Sequence, residues 1–285
     1  MSDGRDPGRV AILAKIEDFE RKGIFDKDVE DDPPAPVLMP GTVDYKQKKL
    51  ITRIKAGVVF SMARRFLNKM IKSNSLRVKD VIGVENLDSL RSGAVLTCNH
   101  FSAMDTFLMQ IAYEKSKVRK KRKLFRIIRE GNYTNFPGFY GKLMRNCNTL
   151  PLSSNMQCLK ECFDAVDYHL KKGQLVLVYA EQSMWWNYRK PKPLKSGAFH
   201  FACKANVPVV PFYIAQEDTE DIGPDGFPIQ EYTIIVGEPI YPDESYSFNE
   251  RAQKMLETNQ KWSKRQYETF YKTKLTYLCD EEKKD

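Results

Sequence analysis

Six short apolar runs, spaced by longer mixed segments, constrain this chain more than any other feature. They are Ala94–Cys98, Leu124–Ile128, Cys147–Leu152, Leu175–Ala180, Val207–Ile214 and Thr233–Val236. Each has the length of a strand and is too short for a buried helix. Between them lie helix-like patterns: one starts near Met104 and reaches Tyr113, and another carries Met156, Leu159, Phe163, Val166 and Leu170. Strands that alternate with helices predict an α/β layered fold with a mostly parallel central sheet and flanking helices. The runs at Leu175 and Val207 are apolar enough to be central. Ser153 or Ser154 is expected to cap the second helix and Gly173 to stop it.

Helical extensions are expected at both ends. Val10 to Lys22 places Ile12, Leu13, Ile16 and Phe19 on one side of a short amphipathic helix. Asp26 to Pro40 is acidic and proline-rich, which predicts an extended linker. Phe248 to Thr276 reads as a polar helix anchored by Leu256, Trp262 and Phe270. The organisation is therefore an acidic arm and linker (1–45), a basic amphipathic helix (46–80), a main body (81–245) and a helical extension (246–285).

Charge separates these parts. The chain carries a net +9, yet residues 1–45 hold 11 acidic and 6 basic side chains. Residues 46–79 hold eleven Lys or Arg and no acid. Within that stretch Ile51, Ile54, Val58, Met62, Phe66 and Met70 recur at helical spacing, widened by Val59, Leu67 and Ile71. Such a helix can lie in a headgroup region with its cations on anionic phosphates, or it can pack its apolar stripe on the protein. An anionic membrane surface is the expected partner. Nucleic acid is not, since no reader motif accompanies the charge.

The chemistry concentrates after the first run. His100 and Asp105 stand five residues apart across a strand-to-helix turn. A carboxylate on one imidazole nitrogen fixes the tautomer and stabilises the imidazolium, and the other nitrogen can then take a proton from a hydroxyl. Asp105 could instead serve only as a helix cap. Glu181 leaves the end of an apolar strand, where it can order a backbone turn or accept an acceptor hydroxyl. Trp185, Trp186 and Tyr188 form an aromatic cluster suited to an interfacial belt or a lipid-lined cleft. His169 is expected on the polar side of its helix, and His200 in an ordinary surface or core role. Cys158 and Cys162 share a helix face, as core residues do.

Asn99-His100 with Asp105, then Glu181, then Lys195-Ser196-Gly197-Ala198, then Val207-Pro208-Val209-Val210-Pro211 resembles the glycerolipid acyltransferases of the 1-acylglycerol-3-phosphate type. The resemblance runs from about residue 85 to 240 and makes 81–245 the acyltransferase domain. It implies His100 as general base and Asp105 as its partner, and Arg129 in the place of a lysine that meets the acceptor phosphate. Glu181 and Ser183 would bind substrate, with Arg189, Lys192 and Lys195 as replacement cations. Asn99, Gly197 and Pro208 would be structural at the site. The chain departs from the family at Met184, where an Arg is usual, and at Leu152, where the second motif usually ends in Arg.

The implied reaction moves a fatty acyl group from acyl-CoA or acyl-carrier protein to the hydroxyl of lysophosphatidic acid or a related lysophospholipid. The thioester is a substrate, and no cofactor or metal is expected. The alternative is a catalytically altered lipid-binding protein on the same scaffold. No run has the length of a membrane span and no signal-peptide pattern opens the chain, so a cytoplasmic, peripheral membrane setting is expected.

Overall fold

Each apolar run becomes a strand of one sheet, or overlaps one. The computed structural model describes residues 4–281. Helix α1 (Pro7–Arg21) and helix α2 (Leu50–Lys72) come first, then strand β1 (Arg77–Ile82) and the short helix α3 (Glu85–Asp88). Next are β2 (Ala94–Thr97), α4 (Asp105–Lys115), β3 (Leu124–Ile128), the short α5 (Glu130–Thr134), α6 (Gly138–Asn146) and β4 (Thr149–Pro151). The chain continues with α7 (Met156–Lys171), β5 (Leu175–Val178), α8 (Gly197–Ala205), β6 (Val209–Ile222) and β7 (Pro228–Val236). It closes with α9 (Phe248–Tyr271) and α10 (Leu278–Glu281). The last four residues of the expected 246–285 extension lie outside the described residues.

The strand order is β1-β7-β6-β2-β5-β3-β4. All neighbours are parallel except the β6–β7 hairpin. Central strands β2 and β5 pair Ala94 with Leu175 through Thr97 with Val178, and β6 flanks β2 on the other side. Helices cover both faces, so β2, β5 and the first half of β6 are largely apolar rather than alternating. Successive residues face opposite layers: Leu96, Leu177 and Val210 join one buried cluster, and Val95, Val176 and Val209 the other. The charged strand β1, Arg77-Val-Lys-Asp-Val-Ile, was not among the expected runs; it lies at an edge, where its half-exposed face tolerates charge.

Helix α7 buries Cys158, Cys162, Ala165, Val166 and Leu170, so the two cysteines are core residues as expected, whereas Met156 and Phe163 of the expected apolar stripe are exposed. Its cap is Asn155, whose side chain accepts from the Gln157 and Cys158 N–H groups. Ser153 and Ser154 instead donate to Glu130. His169 is buried rather than on a polar side: its Nε2 meets the Tyr45 carbonyl at 2.8 Å and its ring stacks on Phe125. Burial lowers its pKa and favours the neutral ring. Helix α9 opens with a Ser247/Glu250 capping box and buries Ala252, Met255, Asn259, Ser263 and Tyr267.

The apolar stripe of α2 divides. Ala56, Val59 and Leu67 face the protein, whereas Leu50, Ile51, Ile54 and Val58 are exposed. Farther along, Phe66 packs on Phe107, Phe139 and Tyr140. Residues 26–40 form no helix or strand, as their prolines predict. The arm nevertheless packs on the body: Ile16 and Val29 join Trp185 in a buried cluster.

Candidate active site

Beyond the carboxyl ends of the parallel strands the loops after β2, β3 and β5 converge, the edge at which open α/β sheets bind ligands. Asn99 begins the construction. Its amide donates to the Ile214 carbonyl at 3.0 Å and accepts from the Ile214 N–H at 2.8 Å, which ties the exit of β2 to β6. The Pro208 carbonyl accepts from Val95 N–H at 3.0 Å, on the opposite end of the same strand.

His100 is fixed at both backbone ends. Its N–H donates to Glu181 Oε2 at 3.0 Å, and its carbonyl accepts from Trp185 N–H and from Lys192 Nζ, each at 3.2 Å. The ring pairs through Nδ1 with Asp105 Oδ2 at 2.6 Å. Asp105 is the first residue of α4, where the helix dipole favours a negative charge. Its side chain is 1% exposed and also accepts from Phe101 N–H and from the Tyr179 hydroxyl, the latter at 2.6 Å. With Nδ1 donating to this carboxylate, Nε2 carries the lone pair. Among the described residues nothing hydrogen-bonds Nε2, and the side chain is 23% exposed. The arrangement equips one imidazole nitrogen to take a proton from an incoming hydroxyl.

Tyr179 is the site residue that sequence reasoning passed over. Its ring stacks on His100 with centroids 4.0 Å apart, and its hydroxyl caps the remaining Asp105 oxygen. Burial, then the neighbouring Asp105, pushes the phenol pKa well above its ordinary value, so it stays a donor. The one available signal was a hydroxyl ending an otherwise apolar strand.

The third-motif residues are placed differently from the expectation of substrate contacts. Glu181 orders the turn: besides His100 N–H it accepts from Lys192 N–H at 2.9 Å and pairs with Lys192 Nζ at 3.2 Å. Lys192 is fully buried and donates to the carbonyls of His100 and Ser183. Burial lowers its pKa while Glu181 opposes that shift. Ser183 is buried and donates to the Phe25 carbonyl at 2.6 Å. None of the three is an open ligand. A lysine inside a charge run reads as solvated; this one is drawn inward by a buried carboxylate.

The remaining expected cations are engaged by the chain's own acids. Arg129 pairs with Asp28 and with Asp32, the second at 3.0 Å, and donates to the Gln182 carbonyl. Lys195 pairs with Asp26 at 2.9 Å. Arg189 pairs with Asp218 at 2.6 Å on the outer part of the β6–β7 hairpin, away from His100's contacts. Gly197 opens α8 with nothing within reach of an added Cβ, so no close approach requires glycine there. Arg145, ahead of β4, donates to the Tyr133 and Phe136 carbonyls.

Trp185 lines no cleft. It is fully buried, stacked on Phe25 and hydrogen-bonded through Nε1 to the Lys27 carbonyl at 2.8 Å. Trp186 packs edge-on against Phe227 and beneath Arg9.

Residues 80–215 match the model of the family described as Acyltransferase. The 1-acyl-sn-glycerol-3-phosphate acyltransferase BAT2, chloroplastic, of Brassica napus is 30% identical over 171 residues. That match covers 57% of this chain and 45% of the relative, so the chain spans less than half the relative's length. The crystal structure of the 1-acyl-sn-glycerophosphate (LPA) acyltransferase PlsC from Thermotoga maritima superimposes with a TM-score of 0.54 at 20% identity. It covers 81% of this chain and 87% of that one, and shows a shared fold.

Proposed function

From a chain whose residues 80–215 form a domain of the acyltransferase family, we propose O-acyl transfer from a fatty acyl thioester to the hydroxyl of a lysophospholipid. The observation that carries the reading is the His100–Asp105 pair, buried on its carboxylate side and open at Nε2. His100 takes the proton of the acceptor hydroxyl, and the oxygen forms a bond to the thioester carbonyl carbon. The tetrahedral adduct collapses by breaking the C–S bond, and the departing thiolate receives the proton from the imidazolium. Asp105 holds the ring and its charge through both transfers. Cys98, the thiol nearest in sequence, is buried with its pKa raised well above the ordinary value by burial and by Asp105, which speaks for direct attack rather than an acyl-enzyme.

The donor is acyl-CoA or acyl-carrier protein, and the acceptor lysophosphatidic acid or a related lysophospholipid. The reaction takes place at an anionic membrane surface. Support comes from α2, whose exposed Leu50, Ile51, Ile54 and Val58 stand among exposed Arg53, Lys55 and Arg65. Exposed Phe136 and Tyr140 extend the apolar surface along α6, which packs on α2. Among the described residues no helix is long and apolar enough to cross a membrane.

The test is product analysis with purified protein, acyl-CoA or acyl-carrier protein as donor, and a panel of lysophospholipids on mixed vesicles. A diacyl product that disappears in His100→Ala is expected. Absence of product from every acceptor and both donor types would defeat the reading.

A further inference from the structure

The acidic arm lies across the loop that follows β5. Phe25 and Lys27 accept through their carbonyls from Ser183 Oγ and Trp185 Nε1, at 2.6 and 2.8 Å. Asp28 sits between them and the arginine. One carboxylate oxygen accepts from Met184 N–H at 2.7 Å, and the other pairs with the Arg129 guanidinium. Asp32 takes a second Arg129 nitrogen at 3.0 Å, and Asp26 takes Lys195 at 2.9 Å. A guanidinium and a backbone N–H converging on two oxygens of one anion is a phosphate-binding arrangement as well as a carboxylate-binding one. Here it is filled from within. Arg129 also donates to Gln182, whose neighbour Glu181 holds His100, so the filled position is contiguous with the catalytic turn.

The arm's anchors differ in kind. Phe25, Val29 and Ile16 are attached through apolar packing around Trp185. Asp28 and Asp32 are attached mainly through charge, and Asp32 is 63% exposed. A competing anion can therefore displace the carboxylates without undoing the apolar contacts.

We propose that Asp28 and Asp32 are specificity determinants: tethered carboxylates that occupy Arg129 and must yield to the anionic headgroup of the acceptor. Resting on the reaction proposed above, this makes acceptor choice a competition. A phosphomonoester, carrying more charge than a phosphodiester, displaces them most readily. A neutral acceptor neither needs Arg129 nor is impeded by its occupation.

The probe is glycerol 3-phosphate, a soluble phosphomonoester, titrated calorimetrically into the full chain. Removing a competitor that holds the site in nine molecules of ten raises apparent affinity roughly tenfold. Asp28→Asn with Asp32→Asn is expected to give a gain of that order, and Arg129→Ala in the same background to abolish it. Asn keeps the acceptor for Met184 N–H, and Asp32→Asn alone, at an exposed side chain, supplies a smaller gain if the double variant is destabilised. Equal affinity in parent and both variants, or a gain that survives Arg129→Ala, overturns the proposal. Because none of these readouts needs turnover, absence of acyl transfer would defeat the reaction while leaving the competition standing.

Discussion

Asp105, past the end of β2, and Glu181, past the end of β5, are both buried carboxylates on one edge of the sheet. Each accepts from a backbone N–H of the turn that holds the imidazole: Phe101 for Asp105, His100 for Glu181. Their remaining partners separate them. Glu181 is closed by Lys192, which is itself fully buried, so its charge ends inside the protein. Asp105 is closed by an imidazole whose far nitrogen is open, so its charge is transmitted to whatever approaches His100. Two carboxylates of similar burial thus do different work, and the difference lies in whether the partner has a second, unengaged end.

The contrast breaks most sharply at His100. His100→Ala should lower transfer about 10²–10⁴-fold while leaving unfolding free energy within about 1 kcal/mol, because the backbone bonds to Glu181 and Trp185 remain. Asp105→Asn should fall in the same direction, through loss of the charge that holds the tautomer. A folded His100→Ala protein with full activity would remove the functional half of the comparison.

Lys192→Met should show the reverse pattern. Removing one member of a buried ion pair leaves the other uncompensated, at a cost of about 3–5 kcal/mol. Two backbone N–H groups still reach Glu181, which places the expected loss at the lower end. Denaturant melts measure it, and transfer per folded molecule should fall far less than in His100→Ala. Unchanged stability would show that the pair is not the keystone of the turn.

Tyr179→Phe sharpens the comparison at smaller amplitude. The lost O–H donor leaves one Asp105 oxygen without its partner, while the stack on His100 is kept. The loss of kcat should be roughly fivefold, matching a hydrogen bond of about 1 kcal/mol. An unchanged kcat would make Tyr179 a packing residue only.

Much of this was legible in the sequence where chemistry and periodicity coincide. Strand runs buried on both faces are largely apolar, and those at Ala94, Leu175 and Val207 stand out for that reason, whereas the runs at Leu124 and Cys147 are broken by Arg126, Asn148 and Thr149. The His100–Asp105 pair was legible because both members are local to one turn. Lys192 and His169 were misplaced because burial of a polar residue depends on a partner distant in sequence: Glu181 in one case, the Tyr45 carbonyl in the other. Arg129 was expected to meet an acceptor phosphate, and its occupation by Asp28 and Asp32 was not foreseen. The excess acid of residues 1–45 was visible, whereas its destination depended on Phe25 and Val29 packing around Trp185.

The fully buried indole of Trp185 has a spectroscopic consequence. Its ring lies under Phe25 and its N–H ends on the Lys27 carbonyl, so both contacts belong to the arm. With the arm seated the indole is shielded from water and its emission lies to the blue. Lifting the segment at residues 25–29 would wet it and move the emission to the red. Trp186 packs against Phe227 and Arg9 instead, so Trp186→Phe leaves the Trp185 signal easier to isolate. The chain therefore carries an intrinsic fluorophore at the junction where the arm meets the loop after β5.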